Sequence, residues 1–323
     1  MSYLDPRAGQ SPGESYAEAA YENPAWHADD KAPAEEAKRG PGRRRAGRGR
    51  APEGKSRAGR NLPAAIAVGL SLGLVVLASL LVWSPALLGV LVVAAGVGVW
   101  ETARAMNVAG SHPPVVPLIA GTVGMTGLAW YAGPDALALG LLATIGASAL
   151  WRLADGVSAV RRDFTPITLI AVYVPFLLSF AAMLVQPDDG KWRVLATVAG
   201  VVLSDTGGYA AGVFLGKHPM APKISPKKSW EGFAGSITAS AIGSAALLFF
   251  LMDIPVYYGL LFGAVISVVA VLGDLAESML KRDLGVKDMS NLLPGHGGLM
   301  DRLDSILFAV PTAYLLFAII APN

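Results

Sequence analysis

From residue 62 onward the chain reads as a train of apolar runs broken by short stretches of Gly, Pro and charge. Each run is close to the roughly 20 residues that a helix needs to cross a hydrocarbon core. Nine runs are read, at about 62–83, 86–106, 115–132, 135–151, 166–185, 193–215, 233–251, 254–280 and 303–321. The third and fourth are short and suit tilted or re-entrant segments; the eighth is long and emerges near Lys281. The pattern predicts an all-α, polytopic membrane protein of about nine transmembrane helices over 61–323. Gly69, Gly73, Gly89 and Gly96 are expected at helix–helix contacts.

Composition changes this picture mainly at the N-terminus. Charged residues make up 15% of the chain, against roughly 25% in a soluble domain, and residues 1–60 hold 21 of the 50 formal charges. That segment is poor in branched apolar residues and is expected to be disordered. Its last part, Lys38 to Arg60, carries ten basic residues against the single acid Glu53. A nucleic-acid-binding arm would look similar, but an apolar run follows at once. A juxtamembrane polybasic segment is therefore expected, and no nucleic acid. The first apolar run begins too late for a signal peptide. With a cytoplasmic N-terminus and alternating runs, 24 of the 26 Lys and Arg fall inside; only Lys191 and Arg193 fall outside. The same alternation puts the C-terminus outside and the two most polar loops, 216–232 and 281–302, together at the cytoplasmic face. Cysteine is absent, which excludes disulfides, thiolate metal sites and cysteine nucleophiles.

Four polar features interrupt the second half. Ser204-Asp205-Thr206-Gly207-Gly208-Tyr209 lies mid-run. An acid there costs about 2.5–3.5 kcal/mol on insertion scales, so Asp205 should face the protein interior or a wet cavity. The glycine pair would loosen the helix beside it, and polar packing through Ser204 and Thr206 is the plainer alternative. Next come Gly216-Lys217 and Lys223 to Gly232, with lysines suited to phosphate oxygens, a turn expected at Ser225-Pro226 and Glu231 early in a helix. Ordinary positive-inside charge would also explain the lysines. A phosphate-binding P-loop is excluded, because Lys217 is followed by His218. Third, Gly273-Asp274 to Lys281-Arg282 places Asp274, Ser278 and Lys281 on one helix face. A Glu277–Lys281 salt bridge is expected there, which leaves Asp274 without a local basic partner. Fourth, Pro294-Gly295-His296-Gly297-Gly298 predicts a bent loop before a helix starting near Leu299 or Met300, whose N-terminus could hold an anion. Asp301 and Asp304 follow on its first turns, where interaction with the helix dipole is the bland account. Several carboxylates beside lysines, without Cys and with few His, favour Mg²⁺ or Mn²⁺ over Zn²⁺ and a phosphorylated substrate.

The stretch Ser278-Met-Leu-Lys281-Arg282 to Lys287-Asp288-Met-Ser290, then Leu293-Pro294-Gly-His296-Gly297-Gly298-Leu299-Met-Asp301-Arg302-Leu303-Asp304, resembles the signature of the phosphatidate cytidylyltransferase (CDP-diacylglycerol synthase) family. The blocks around Asp205, Gly216-Lys217 and Ser225 to Gly232 resemble that family's upstream blocks, in order, so the likeness covers roughly 195–310. The resemblance implies a nucleotidyltransferase that converts CTP and phosphatidate to CDP-diacylglycerol and pyrophosphate. It also implies a Mg²⁺ requirement, with Mn²⁺ as an alternative and a second, monovalent cation left open. A homodimer in the plasma membrane, with a cytoplasmic active site, is expected. On this resemblance Asp274 and Asp301 are metal ligands, and Asp205, Lys217, Lys227, Lys228, Lys281 and Asp301 are catalytic. Ser225, Ser229, Arg282, Lys287, His296, Gly297, Gly298 and Arg302 contact substrate, with Gly297-Gly298 cradling a phosphate. The competing readings are a membrane CTP-dependent lipid kinase and, further off, an ion-coupled transporter.

Overall fold

The computed structural model describes residues 62–83, 85–290, 292–293 and 297–321. The 1–60 tail and His296 lie outside the described residues. The described chain is helical, with α1 (Leu62–Val82), α2 (Ala86–Val108), α3 (Val115–Leu153), α4 (Val157–Val185), α5 (Gly190–Leu215), α6 (Trp230–Met252), α7 (Val256–Asp283) and α8 (Met300–Ile320). A small antiparallel hairpin, β1 (Pro219–Ala221) and β2 (Ser225–Ser229), joins α5 to α6. Seven of the helices, α2 to α8, are long and apolar enough to cross a membrane.

At 1.5 Å per residue the 39 residues of α3 would reach about 58 Å, nearly twice a ~30 Å core. It does not run straight. Gly133 has φ 77° and ψ −164°, outside the helical region and open only to glycine, and Pro134 follows. The two arms fold back on each other, with Gly121 against Thr144 and Gly140 against Met125 and Leu128. The third and fourth apolar runs are thus the arms of a helical hairpin. With α1 and this hairpin, each of the nine expected runs corresponds to a helical segment, an arrangement compatible with nine crossings. The fifth run differs most, because α4 begins at Val157, nine residues early. Its Pro175 falls in a π turn, Val172–Phe176, whose wider winding accommodates the missing N–H.

The interior is built from α4 (Ile167, Ile170, Val174), α2 (Leu87, Val99), α7 (Phe262, Ile266) and α8 (Leu307, Phe317). In lipid, contacts of this kind act through close packing rather than removal of water. Gly69, Gly73, Gly89 and Gly96 do not serve it: an added Cβ at each meets nothing within 4 Å. Besides the contact between the arms of α3, close approaches of one backbone to another fall where α5, α6, α7 and α8 cross. A Cβ at Gly207 would stand 2.7 Å from the Gly235 carbonyl oxygen, and one at Gly273 would stand 2.5 Å from the Asp304 carbonyl oxygen. Hydroxyls lock the same crossings: Ser204 and Ser267 are 2.9 Å apart, and Ser240 donates to the Gly200 carbonyl at 2.9 Å. At the far end of α5 from the hairpin, Arg193 pairs with Asp189 at 2.7 Å and donates to the Ala321 carbonyl at 2.9 Å. That end of α5 is thereby tied to the end of α8.

Candidate active site

The glycine pair after Asp205 leaves α5 an unbroken helix; it lets α6 approach closely. Gly207 faces Gly235 and Ala239, and Gly208 faces Ser236 and Gly232. Gly273 does the same for α7 and α8, bringing Asp274 beside the first turns of α8. Helix-loosening was the wrong account of these glycines: backbones in contact need small residues, and small residues do not break a helix that neighbours support.

Two cavities open at this end of the bundle. The first, about 330 Å³, lies among α5, the hairpin, α6 and α7. Its walls are glycines (Gly208, Gly212, Gly232) and apolar or aromatic side chains (Tyr209, Met220, Phe233, Val271), with Lys227, Lys228 and Ser229 on one side. The second, about 290 Å³, is lined by Asp205, Asp274, Lys281, Asp288, Asp301, Arg302, Asp304 and Ser305. Asp205 and Asp274 belong to both and form the wall between them.

The charged groups are held by one another. Asp274, without a basic partner nearby in sequence, pairs with Lys228 of β2 at 2.5 Å and accepts from the Ser278 hydroxyl at 3.3 Å. Lys281 donates to Glu277 at 2.6 Å, the expected one-turn pair, and to Asp301 at 2.7 Å. The second oxygen of Asp301 accepts the backbone N–H groups of Gly298, at 2.8 Å, and Met289, at 3.1 Å. Gly297 has φ 80°, and a Cβ there would sit 3.0 Å from that same oxygen. Met289, Gly297 and Gly298 are thus gathered around Asp301. The Gly298 N–H, expected to face a phosphate, faces this carboxylate instead.

The sequence reading passed over Glu101. This acid of α2 is fully buried, and its carboxylate accepts from the Ser290 hydroxyl at 2.5 Å, the Leu299 N–H at 3.0 Å and the Met300 N–H at 2.7 Å. The anion expected at the N-terminus of α8 is therefore the protein's own. The rule that flagged Asp205, that an acid within an apolar run is costly unless it has a task, would have flagged Glu101 too.

The structure brings Asp205, Lys227, Lys228, Ser229, Asp274, Lys281, Asp301 and Arg302 to the two cavities. Ser229 is also the N-cap of α6, accepting from the Gly232 N–H at 3.1 Å. Lys217, Ser225, Arg282 and Lys287 line neither cavity. Lys217 is exposed, and its backbone N–H donates to Glu231, which also holds the His218 ring at 2.5 Å. Ser225 opens β2 opposite Ala221, so the expected turn at Ser225-Pro226 is a strand and the turn falls one step earlier, at Pro222–Ile224. A two-stranded ribbon leaves an edge where Pro226 needs no donor. The Arg282 guanidinium reaches the Ile224 carbonyl at 3.5 Å, holding hairpin to helix. Lys287 is exposed. Asp288, given no role from sequence, and Asp304, read there only against the helix dipole, join the polar cavity.

Five carboxylates, no sulfur and no imidazole make the polar cavity a hard-oxygen donor set, which fits Mg²⁺ better than Zn²⁺. Among the described residues no three acids form a protein-only metal cage. Mg²⁺ does not require one, since it commonly takes one or two carboxylates and completes its shell with water and substrate phosphate.

A sequence model of the cytidylyltransferase family matches residues 63–320. The chain is similar to the phosphatidate cytidylyltransferase of Mycobacterium bovis, with 42% identity over 277 residues covering 82% of this chain and 90% of that protein. The Mycobacterium leprae protein of the same name is 43% identical over 285 residues, with 82% and 90% covered. The Bacillus subtilis one is 41% identical over 155 residues, covering 47% of this chain and 58% of that protein.

Proposed function

The chain belongs to the cytidylyltransferase family, and from that premise we propose that it transfers the cytidylyl group of CTP to phosphatidate, giving CDP-diacylglycerol and pyrophosphate. The observation that carries the site assignment is the pair of cavities sharing the Asp205–Asp274 wall. One is largely apolar with lysines at its side, suited to a lipid phosphate whose chains stay among apolar groups. The other is polar and charged, suited to a triphosphate. Their common wall is where the two phosphates would meet.

In this reading a phosphatidate oxygen attacks the α-phosphorus of CTP, a new P–O bond forms, and the bond to the β-phosphate oxygen breaks. No general base is required, because a phosphomonoester with a second pKa near 6 is already mostly dianionic at neutral pH. The chain's task is to align two polyanions and offset their repulsion. Lys227 and Lys228 would orient the lipid phosphate, and Lys281 and Arg302 the triphosphate and departing pyrophosphate. Asp274 and Asp301 would hold Mg²⁺, with Asp205 and Asp304 beside them. The ion would supply charge neutralisation at the phosphate oxygens.

The hairpin, the loop before α8 and the starts and ends of α5 to α8 that meet them would face the cytoplasm of the cell membrane, as the distribution of Lys and Arg favours. A homodimer is proposed from family membership and is checked by cross-linking in membranes. The deciding experiment supplies labelled CTP, phosphatidate and Mg²⁺ to the purified protein. A cytidine-bearing lipid with pyrophosphate is expected; CDP with a phosphorylated lipid would point to a kinase instead.

A further inference from the structure

Glu101 lines neither cavity, yet all three of its hydrogen-bond donors come from the loop that shapes the polar one. Ser290 lies seven residues past the end of α7, and Leu299 and Met300 lie where α8 begins. Asp301 accepts the neighbouring Met289 and Gly298 N–H groups. Two carboxylates, one from α2 and one from α8, therefore hold adjacent residues at both places, 289–290 and 298–300. The held residues adjoin Asp288, which lines the polar cavity, and lead into the turns that present Asp301, Arg302 and Asp304.

The local sequence is shaped for this contact. Gly98, three residues before Glu101 on α2, lies against α4 and the start of α8: a Cβ there would crowd Val174 at 2.9 Å and touch the Met300 sulfur at an ordinary 3.5 Å. Gly298 leaves room for the carboxylate itself, since a Cβ there would lie 2.8 Å from Glu101 Oε2. The chemistry of the group is equally constrained. Two backbone N–H groups at a helix N-terminus and one hydroxyl converge on it, so both oxygens must accept, and a negative charge complements the helix dipole. A glutamine would offer one accepting oxygen and turn N–H donors toward donors.

We propose that Glu101 is a positioning residue for catalysis: by holding Ser290, Leu299 and Met300, it sets where Asp288 and the first turns of α8 stand in the polar cavity. The first half of the membrane domain thereby governs alignment in a site whose polar lining comes entirely from the second half. This rests on the polar cavity being the site of nucleotide transfer, as read above.

The test is Glu101→Gln beside Ser290→Ala in the purified full-length protein. For Glu101→Gln, kcat is expected to fall about 10²-fold, the scale of an ångström-sized misalignment. KM for phosphatidate should stay nearly unchanged, because the lysine-sided cavity does not touch this loop. Ser290→Ala keeps both backbone contacts and should show the same split, with a kcat loss of only about three- to tenfold. Hydrogen exchange, followed without substrate, should quicken at Leu299 and Met300 in Glu101→Gln while α5 and α6 stay protected. Wild-type kcat in both variants would overturn the proposal. So would a kcat loss that tracks the loss of folded protein, with exchange rising throughout the bundle. If Glu101→Gln does not fold, Ser290→Ala decides: unchanged kcat overturns, and lowered kcat at an unchanged melting temperature supports. The exchange measurement needs no turnover, so a failure of the transferase reading would still leave the contact itself visible.

Discussion

Replacing Asp301 by Asn keeps the size of the side chain and removes its charge, and the structure gives the size of both consequences. One Asp301 oxygen accepts from Lys281 at 2.7 Å and the other from two backbone N–H groups, in a side chain only 5% exposed. An amide can satisfy one of these sides. If its oxygen keeps the two N–H groups, its nitrogen faces the Lys281 ammonium and that charged bond is lost, at about 1.5–3 kcal/mol. The loss is offset in part. Glu277 and Asp301 share one lysine, so removing a negative charge relieves their repulsion and leaves Lys281 paired with Glu277 at 2.6 Å. The expected destabilisation is thus about 1–2 kcal/mol, too small to unfold a protein that is marginally stable at 5–15 kcal/mol. Turnover should fall far more, by about 10³-fold or beyond, if Asp301 holds the ion as proposed. The assay is CDP-diacylglycerol formation per folded protein, with folded protein measured by size-exclusion chromatography and thermal melting in detergent. Activity within about threefold of wild type would reduce Asp301 to a staple for its loop, and a loss that vanishes after correction for folded protein would do the same.

Gly207→Ala should cost about 1–3 kcal/mol, since its methyl group meets the Gly235 carbonyl and Ala239 and must push α5 from α6; a melting temperature equal to wild type would refute the close crossing. Lys228→Ala should lower turnover by about 10²–10³-fold, whereas Lys217→Ala, exposed and outside both cavities, should lower it much less; equal losses would bring the Lys217 side chain onto substrate. Chelation of divalent ions should abolish turnover yet lower the melting temperature little, because Asp274 and Asp301 keep lysine partners at 2.5 and 2.7 Å; activity surviving chelation would remove the ion from the reaction.

The helical segments were legible because their signal is a long apolar run, which needs no knowledge of partners. Even the α3 hairpin was visible as two short runs around Gly133-Pro134. Of the candidate site, the cavity-lining acids Asp205, Asp274 and Asp301 were legible, because each breaks an apolar pattern. What escaped was tertiary. Nothing local to Asp274 announces Lys228, which comes from a hairpin 46 residues away along the chain. Glycines were assigned to packing in the first spans and to flexibility beside Asp205, and both assignments fail for one reason: a glycine's task depends on what faces it. Gly89 faces nothing, while Gly207 faces another backbone. Glu101 gives a weak local signal, because it stands as a lone acid 189 residues from the serine it binds.

The charge balance of the polar cavity adds a reason for its lysines that neither sequence nor fold supplies alone. Five aspartates line it, against Lys281 and Arg302, with Lys228 reaching Asp274 from beside it. Such a surplus of negative charge would repel a triphosphate and a lipid phosphate alike, so a cation must accompany them for binding to be favourable. A site built of carboxylates alone would carry uncompensated charge near the membrane whenever that cation was absent, at a steep cost. Pairing Asp274 with Lys228 and Asp301 with Lys281 lowers that cost without removing it, since Lys281 is shared with Glu277 and the aspartates still outnumber the cations. On the proposed reading, a cation taking the place of Lys228 on Asp274 or of Lys281 on Asp301 would free that lysine for phosphate. The same side chains would then lower the charge cost of the empty site and offset the charge of the filled one, which a surface of fixed, separately solvated charges could not do.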